Sequence, residues 1–368
     1  MYFLIFIFKL NLKFVYFFLK WIPIKKNKIV FISRQSNKPS IDFIMLQNKL
    51  RESNSNYQIV MLTKKIEHGF LNYLRYYFHL YTQMYHLATS HVCIVDSYCI
   101  PVCILKHKKE LTVIQIWHAM GAIKKFGYQT LDKIDGRDDK LSKAMCMHCN
   151  YDYILSGSKA MIPYFSQAYH VEQSRFIVNG LPRIDYLLQN KKKLATEIKK
   201  KYPALKTKKT ILYAPTFRNN EELKVDELTN SVNYKKFNLI VKLHPKSKIK
   251  LENKQVLKCD KYSALQLLSI ADYVITDYSA ISIEAASLDI PIFLYLYDYE
   301  EYNKNNGLNL DLWKEISPYA FKESKEMIKV LEHDKYDINV VLQYKEKYLD
   351  PDLGKYTDKL VAFINQRM

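Results

Sequence analysis

Short apolar runs separated by helix-length intervals recur along most of this chain, and that alternation leaves few folds open. KIVFIS (28–33), YQIVMLT (57–63), HVCIVD (91–96), LTVIQIW (111–117) and YDYILS (151–156) read as buried strands, with room for a helix between them. A second series, TILYAP (210–215), FNLIVKLHP (237–245), ADYVIT (271–276) and IPIFLYLY (290–297), repeats the pattern. Strands alternating with helices build mostly parallel sheets covered on both faces. The chain is therefore expected to be α/β, with two Rossmann-like domains facing a cleft. Between residues 186 and 210 the composition shifts to YLLQNKKKLATEIKKKYPALKTKKT, a basic, solvated run. It divides an N-terminal domain, 23–190, from a C-terminal domain, 205–368.

Residues 1–22, MYFLIFIFKLNLKFVYFFLKWI, form an amphipathic segment of their own. Spacings of four and seven put Lys9, Lys13 and Lys20 on one helical face, opposite Phe3, Leu4, Phe8, Phe14, Val15 and Phe18. That pattern suits a helix lying in a membrane interface. A helix packed on the protein's own core and a spanning anchor are the alternatives. A second helix is expected over 70–89, where Phe70, Leu74, Tyr77, Phe78, Tyr81, Tyr85 and Ala88 make a stripe that reads first as core, although its tyrosine and basic content also suits a bilayer interface.

The formal charge of +19 points to an anionic partner, and Lys-rich composition bias accounts for part of it. No nucleic-acid reading module is recognisable, so nucleic acid is not expected. The eight glycines form neither GxGxxG nor a Walker A loop, which removes dinucleotide enzymes and P-loop kinases as leading readings. Six irregularly spaced cysteines suggest reduced thiols in a cytoplasmic compartment. Cys146, His148 and Cys149 lack a second ligand pair, so no metal site is expected.

Chemistry-bearing residues gather where strands end. After ADYVIT, Ser279 stands at an N-cap position, and a helix N-terminus at the carboxyl edge of a parallel sheet suits phosphate. IVKLHPKS puts His244 past a strand between Lys242 and Lys246, and ILYAPTFR delivers Thr216 and Arg218 to the same edge. In VIQIWHAMGAIKKFG, His118 ends a strand, small residues such as Gly121 keep its surroundings open, and Lys124 and Lys125 add positive charge. Such a histidine can act as a general base. Taken singly, each has an ordinary structural reading as a cap, an exposed histidine or a half-buried histidine beside a tryptophan. Several strand ends carrying polar groups to one edge are harder to dismiss.

WHAMGAIKKFGY, NGLPRID (179–185), ILYAPTFR, VKLHP and ADYVITDYSAISIEAASLDIPIFLYLYDYEEY occur in an order that resembles the CDP-glycerol (poly)glycerophosphate glycerophosphotransferases of teichoic acid synthesis, over about residues 90–312. The resemblance implies a GT-B fold with peripheral or monotopic attachment at the cytoplasmic face of the cell membrane. It implies CDP-glycerol or CDP-ribitol as donor, glycerol before ribitol, and a polyprenyl-diphosphate-linked saccharide as acceptor. It makes His118 the base and His244 a donor-phosphate ligand, and sets Thr276, Asp277 and Ser279 around the diphosphate. Glu284 could hold ribose hydroxyls; Gly121, Lys124, Arg183, Thr216 and Arg218 complete the expected substrate-binding set. Ala280 and Glu284 stand where many members have a second Ser and an Asp, and WHAMGA replaces WHGTP, which leaves the acceptor type open. No cofactor is required, although Mg²⁺ can enter with the diphosphate. A CMP-sugar-dependent GT-B glycosyltransferase of capsule synthesis is the rival outside this class.

Overall fold

Five of the apolar runs pair with one further short strand into one sheet, and the other four pair with another short strand into a second. The computed structural model describes residues 2–368 except 134, 135, 137, 219–223, 246 and 334. β1 (Lys25–Ser33), β2 (Gln58–Thr63), β3 (Ser90–Val95), β4 (Thr112–Gln115), β5 (Tyr153–Ser156) and β6 (Phe176–Val178) lie in the order β2-β1-β3-β4-β5-β6. β7 (Lys209–Tyr213), β8 (Phe237–Val241), β9 (Tyr273–Thr276), β10 (Ile292–Tyr295) and β11 (Ala320–Phe321) lie in the order β11-β10-β9-β7-β8. Every pairing is parallel. The strand order reverses between β1 and β3 in the first sheet and between β7 and β9 in the second. In open parallel sheets, ligands bind outside the carboxyl ends of strands at such reversals.

Two compact units result. The first gathers Met1–Met120, Phe126–Asp185 and Gly354–Met368, and the second gathers Gly121–Lys125 and Tyr186–Leu353. The last residues, read from the sequence as the end of the second domain, thus fold with the first unit. Asn179 explains why: its Nδ2 donates to the carbonyl of Tyr356 at 3.0 Å. The neighbouring Gly180 leaves room for the Tyr356 ring, which a Cβ there would approach to 2.1 Å. The basic run after residue 186 is mostly helix, Pro182–Lys201, rather than a linker. Lysine is a good helix former, and Leu187, Leu194 and Ile198 bury one stripe of it.

The N-terminal helix α1 (Tyr2–Leu19) is long and apolar enough to cross a membrane by length and composition. It packs along one edge against the first unit. Leu12 and Tyr16 are buried, and Tyr16 Oη bonds His107 Nδ1 at 2.8 Å. Lys9 donates to the carbonyl of Ala144. α2 (Ile41–Ser53) starts from a cap in which Ser40 Oγ accepts from Phe43 N. α3 (Phe70–Thr89) lies beside α1, where Asn11 Oδ1 accepts from both Tyr77 and Tyr81 hydroxyls, at 2.9 and 2.7 Å. The stripe read as core is largely the outer face of α3. Phe70, Leu74, Phe78 and Tyr85 are exposed, whereas Tyr76, Leu80, Met84 and Leu87 supply the core.

Candidate active site

In the first unit the chemistry collects at the reversal between β1 and β3. Gln115, at the end of β4, is fully buried; its Nε2 donates to the carbonyl of Ser97 and its Oε1 accepts from Trp117 N at 2.9 Å. Trp117 is left-handed, with φ of 59°, a conformation rare for a bulky residue. This turn takes the chain off the strand axis and stacks the indole between Phe126 (4.6 Å between centroids) and His118 (4.0 Å). His118 Nδ1 lies 3.0 Å from the main-chain oxygen of Asp96, the residue after β3, with the Gln35 amide 3.3 Å away. The carbonyl can only accept and the Gln35 amide nitrogen can only donate; the shorter contact, to the carbonyl, is the one that puts the proton on Nδ1 and leaves the lone pair on Nε2. The tryptophan fixes the ring plane and the carbonyl fixes the tautomer, the two requirements for a positioned base.

Asp96 also brings a pH dependence. Its carboxyl is buried, and burial raises its pKa from 3.8 to about 6 against the hydrogen bonds of Ser33 and Ser97. The folded protein keeps a proton here that the unfolded chain loses, so stability falls as pH rises from about 4 to 6 and the deficit is complete above that window. Asp96→Asn removes the ionisation and leaves the carbonyl under His118 in place. It should stabilise the protein by roughly 2 kcal/mol more at pH 8 than at pH 4.5. Unfolding midpoints at the two pH values test this, and an equal effect at both would refute it.

In the second unit four neighbouring strand ends converge around the reversal between β7 and β9. Asp277, just past β9 and 1 % exposed, accepts from Thr216 N at 2.9 and 3.0 Å and from Tyr278 N at 2.7 Å. Arg218, past β7, pairs with Asp277 at 3.0 Å and with Asp298, past β10, at 2.8 Å; its Nη1 donates to the Thr216 carbonyl at 2.7 Å. Tyr278 Oη donates to Asp298 at 2.8 Å, and the rings of Tyr278 and Tyr302 stack 4.0 Å apart near the guanidinium. Burial opposes the charge on Arg218, but Asp277 and Asp298 outweigh it and hold its pKa above the ordinary value. Arg218 and Asp277 therefore lock the turns after β7, β9 and β10 to one another. Thr276 is spent similarly, its hydroxyl donating to Ala214 O at 2.8 Å.

Other groups stand differently at this edge. Thr216 Oγ1 is buried and has no hydrogen-bond partner among the described residues. An unmet buried hydroxyl at a strand reversal calls for a ligand or water. His244, past β8, is exposed, and its ring lies 5.2 Å from that of Phe217. Lys242 turns aside to the carbonyls of Cys259 and Asp260, and Lys246 lies outside the described residues. Ser279 is not the N-cap: the helix runs Ile281–Ala286 from Ala280, and Ser279 Oγ accepts from Ile281 N at 3.4 Å. Glu284 is buried inside that helix.

The segment that sequence links to His118 continues into this unit. Gly121 is buried, and Lys124 is half-buried in the field of Asp277 and Arg218. Burial lowers the pKa of Lys124, Asp277 opposes this and Arg218 adds to it. Arg183 belongs to the first unit, at the start of the Pro182–Lys201 helix. Its main-chain N and Nε donate to Asp42 at 2.8 and 2.9 Å, tying that helix to α2. Among the described residues no three His, Cys, Asp or Glu side chains group as metal ligands, Cys146, His148 and Cys149 included. Asp298 sits inside the quoted YLYDYEEY stretch, but only its position opposite Arg218 reveals its part.

The chain is 30 % identical over 359 residues to the teichoic acid ribitol-phosphate primase of Bacillus spizizenii, covering 94 % of this chain and 92 % of that one. It is 27 % identical over 370 residues to the teichoic acid glycerol-phosphate primase of Bacillus subtilis, covering 95 % and 94 %. A solved structure of the wall teichoic acid polymerase TagF superposes with a TM-score of 0.74 at 19 % identity, covering 93 % of this chain and 89 % of that one, so the fold is GT-B-like. Residues 14–366 match the CDP-glycerol:poly(glycerophosphate) glycerophosphotransferase family, and the chain belongs to that family.

Proposed function

We propose that this protein transfers a polyol phosphate from a CDP-polyol to a hydroxyl of a polyprenyl-diphosphate-linked saccharide at the cytoplasmic membrane face, in synthesis of teichoic acid or a related cell-surface polymer. The acceptor oxygen attacks the polyol-bearing phosphorus, the bond from that phosphorus to the CMP oxygen breaks, and the hydroxyl proton passes to His118 Nε2. Phosphoryl transfer asks a protein mainly for positioning and charge stabilisation. The observation that carries this reading is the cluster at the β7/β9 reversal, where Thr216 Oγ1 is buried without a partner among the described residues, beside a locked Arg218 and Asp277. His244, Thr216, Ser279 and Lys124 are the groups expected to face the donor diphosphate. Glu284, Gly121 and Arg183 act through the turns and helices they hold. No resident metal and no nucleic acid enter the proposal, and Mg²⁺ would arrive on the donor.

Glycerol is the expected polyol. Ribitol is the second reading, favoured by the length of the match: 30 % identity with a ribitol-phosphate primase extends over 94 % of this chain, whereas glycerol-phosphate primases reach 30 % over 62 % and 76 % of it. CMP release from CDP-glycerol and CDP-ribitol, each offered with lipid-linked disaccharide, decides between them; release from neither would overturn the function. His244→Ala and Ser279→Ala should each weaken donor binding, because a hydrogen bond to a charged group contributes about 1.5–3 kcal/mol. Titration calorimetry checks this, and unchanged affinity in both variants would place the diphosphate elsewhere.

A further inference from the structure

Three consecutive carbonyl oxygens of the 122–124 segment are held by one residue far away in sequence. Asn309 N donates to Ile123 O at 2.8 Å, and Asn309 Nδ2 donates to Ala122 O at 2.8 Å and to Lys124 O at 3.4 Å. Around this grip, Lys124 and Leu308 form an antiparallel bridge, and Lys125 N donates to Gly307 O at 3.0 Å. The receiving turn is itself built for the purpose. Gly307 adopts a φ of 83°, open to glycine at little cost, and Leu308 N is held by Asn303 Oδ1 at 2.9 Å. These contacts account for the grouping of Gly121–Lys125 with the second unit, although the chain on both sides of it belongs to the first.

We infer that Asn309 is a positioning residue for phosphate transfer, holding the 122–124 segment, and with it Lys124, in the unit whose strand ends carry Asp277 and Arg218. The inference rests on the proposed CDP-polyol reaction for its kinetic consequence, but not for its geometry. A lysine side chain keeps its own torsional freedom, and holding the backbone beneath it sets where that side chain starts and which groups its ammonium can reach. Asn309 holds that backbone at three points, two of them through its side-chain amide. Lys124 then loses less freedom on meeting a donor phosphate than it would from an unpinned backbone.

The test is a double-mutant cycle on the full chain with CDP-glycerol or CDP-ribitol, whichever supports CMP release. Asn309→Ala should raise the donor KM about tenfold while kcat changes by less than about threefold, the signature of lost binding in ground and transition states alike. Lys124→Met should do the same. The double variant should be no worse than Lys124→Met, because residues acting through one another are non-additive. Additive effects, or an unchanged KM in Asn309→Ala, would overturn the inference. A readout without catalysis separates this from the proposed function. Acylation of intact protein by an amine-reactive ester, read by peptide mass spectrometry, should label Lys124 at least about fivefold faster in Asn309→Ala, relative to Lys125. Equal labelling in both proteins would also overturn it, even where no CDP-polyol is turned over. If Asn309→Ala does not fold, Asn309→Ser takes its place in the same cycle.

Discussion

His118→Ala is expected to lower turnover by about 10³-fold, within the 10²–10⁴ range of a positioned general base, while CDP-polyol affinity stays within about twofold of the parent. Loss of turnover with retained binding is the pattern of a group that matters at the transition state. The geometry argues for this separation. His118 belongs to the first unit, and its ring is fixed by Trp117 and by the Asp96 carbonyl at 3.0 Å. The donor-facing groups proposed above, other than those of the 121–125 segment, are held by a separate lock among Arg218, Asp277 and Asp298. His118→Asn sharpens the test, since its amide nitrogen takes the place of Nδ1 and can keep the hydrogen bond to the Asp96 carbonyl but leaves nothing to accept the proton. It should be as inactive as the alanine variant. Near-normal CMP release in either variant would sink the assignment of the base.

The strand series was legible because buried parallel strands are continuous apolar runs, and nine of the eleven strands coincide with such runs. β6 and β11 were not, since three and two residues are too few to show a pattern. The stripe of α3 was read first as core and proved largely exposed, for a physical reason. An aromatic stripe at helical spacing says that one face is apolar, not which face the core takes, and Tyr76, Leu80, Met84 and Leu87 form an equally good stripe. At the candidate site, residue types at strand ends were readable, but their partners were not. Asp277 and Arg218 carry opposite charges at two strand ends, and only the β7–β9 pairing shows that they meet. Asn309 has no local signal at all, because every group it holds lies more than 180 residues away. Ser279 looked like a cap because Ser before an apolar helix usually is one; the helix instead begins one residue later, from Ala280.

Replacing Phe6, Leu10 and Phe17 together by serine should detach the protein from anionic vesicles, weakening binding roughly 10²-fold or more. Fully burying each of these side chains is worth about 1.5–3 kcal/mol, and partial insertion realises a part of that. All three are exposed, on the side of α1 opposite Leu12 and Tyr16, and Phe3 and Phe14 extend the same face. The exposed aromatics of α3 lie beside it. Lys13 lies on a flank of this surface, exposed and able to reach headgroups, whereas the Lys9 ammonium is taken up by the carbonyl of Ala144. This arrangement is compatible with two of the sequence alternatives at once: α1 packs on the protein by one face and leaves its other, apolar face exposed. Deleting α1 is a poor test for that reason, since it would strip Leu12 from the core and remove the hydroxyl that meets His107 Nδ1. The serine variant leaves those contacts untouched, so its circular dichroism and its activity on a short soluble acceptor should match the parent. Its activity on a polyprenyl-linked acceptor in vesicles should fall. Raised salt should release the parent only in part, because apolar insertion is not screened while the contribution of about 1 kcal/mol per lysine is. Undiminished vesicle binding by the triple variant, or complete release of the parent by salt alone, would show that the basic surface and not the apolar face of α1 holds the protein to lipid.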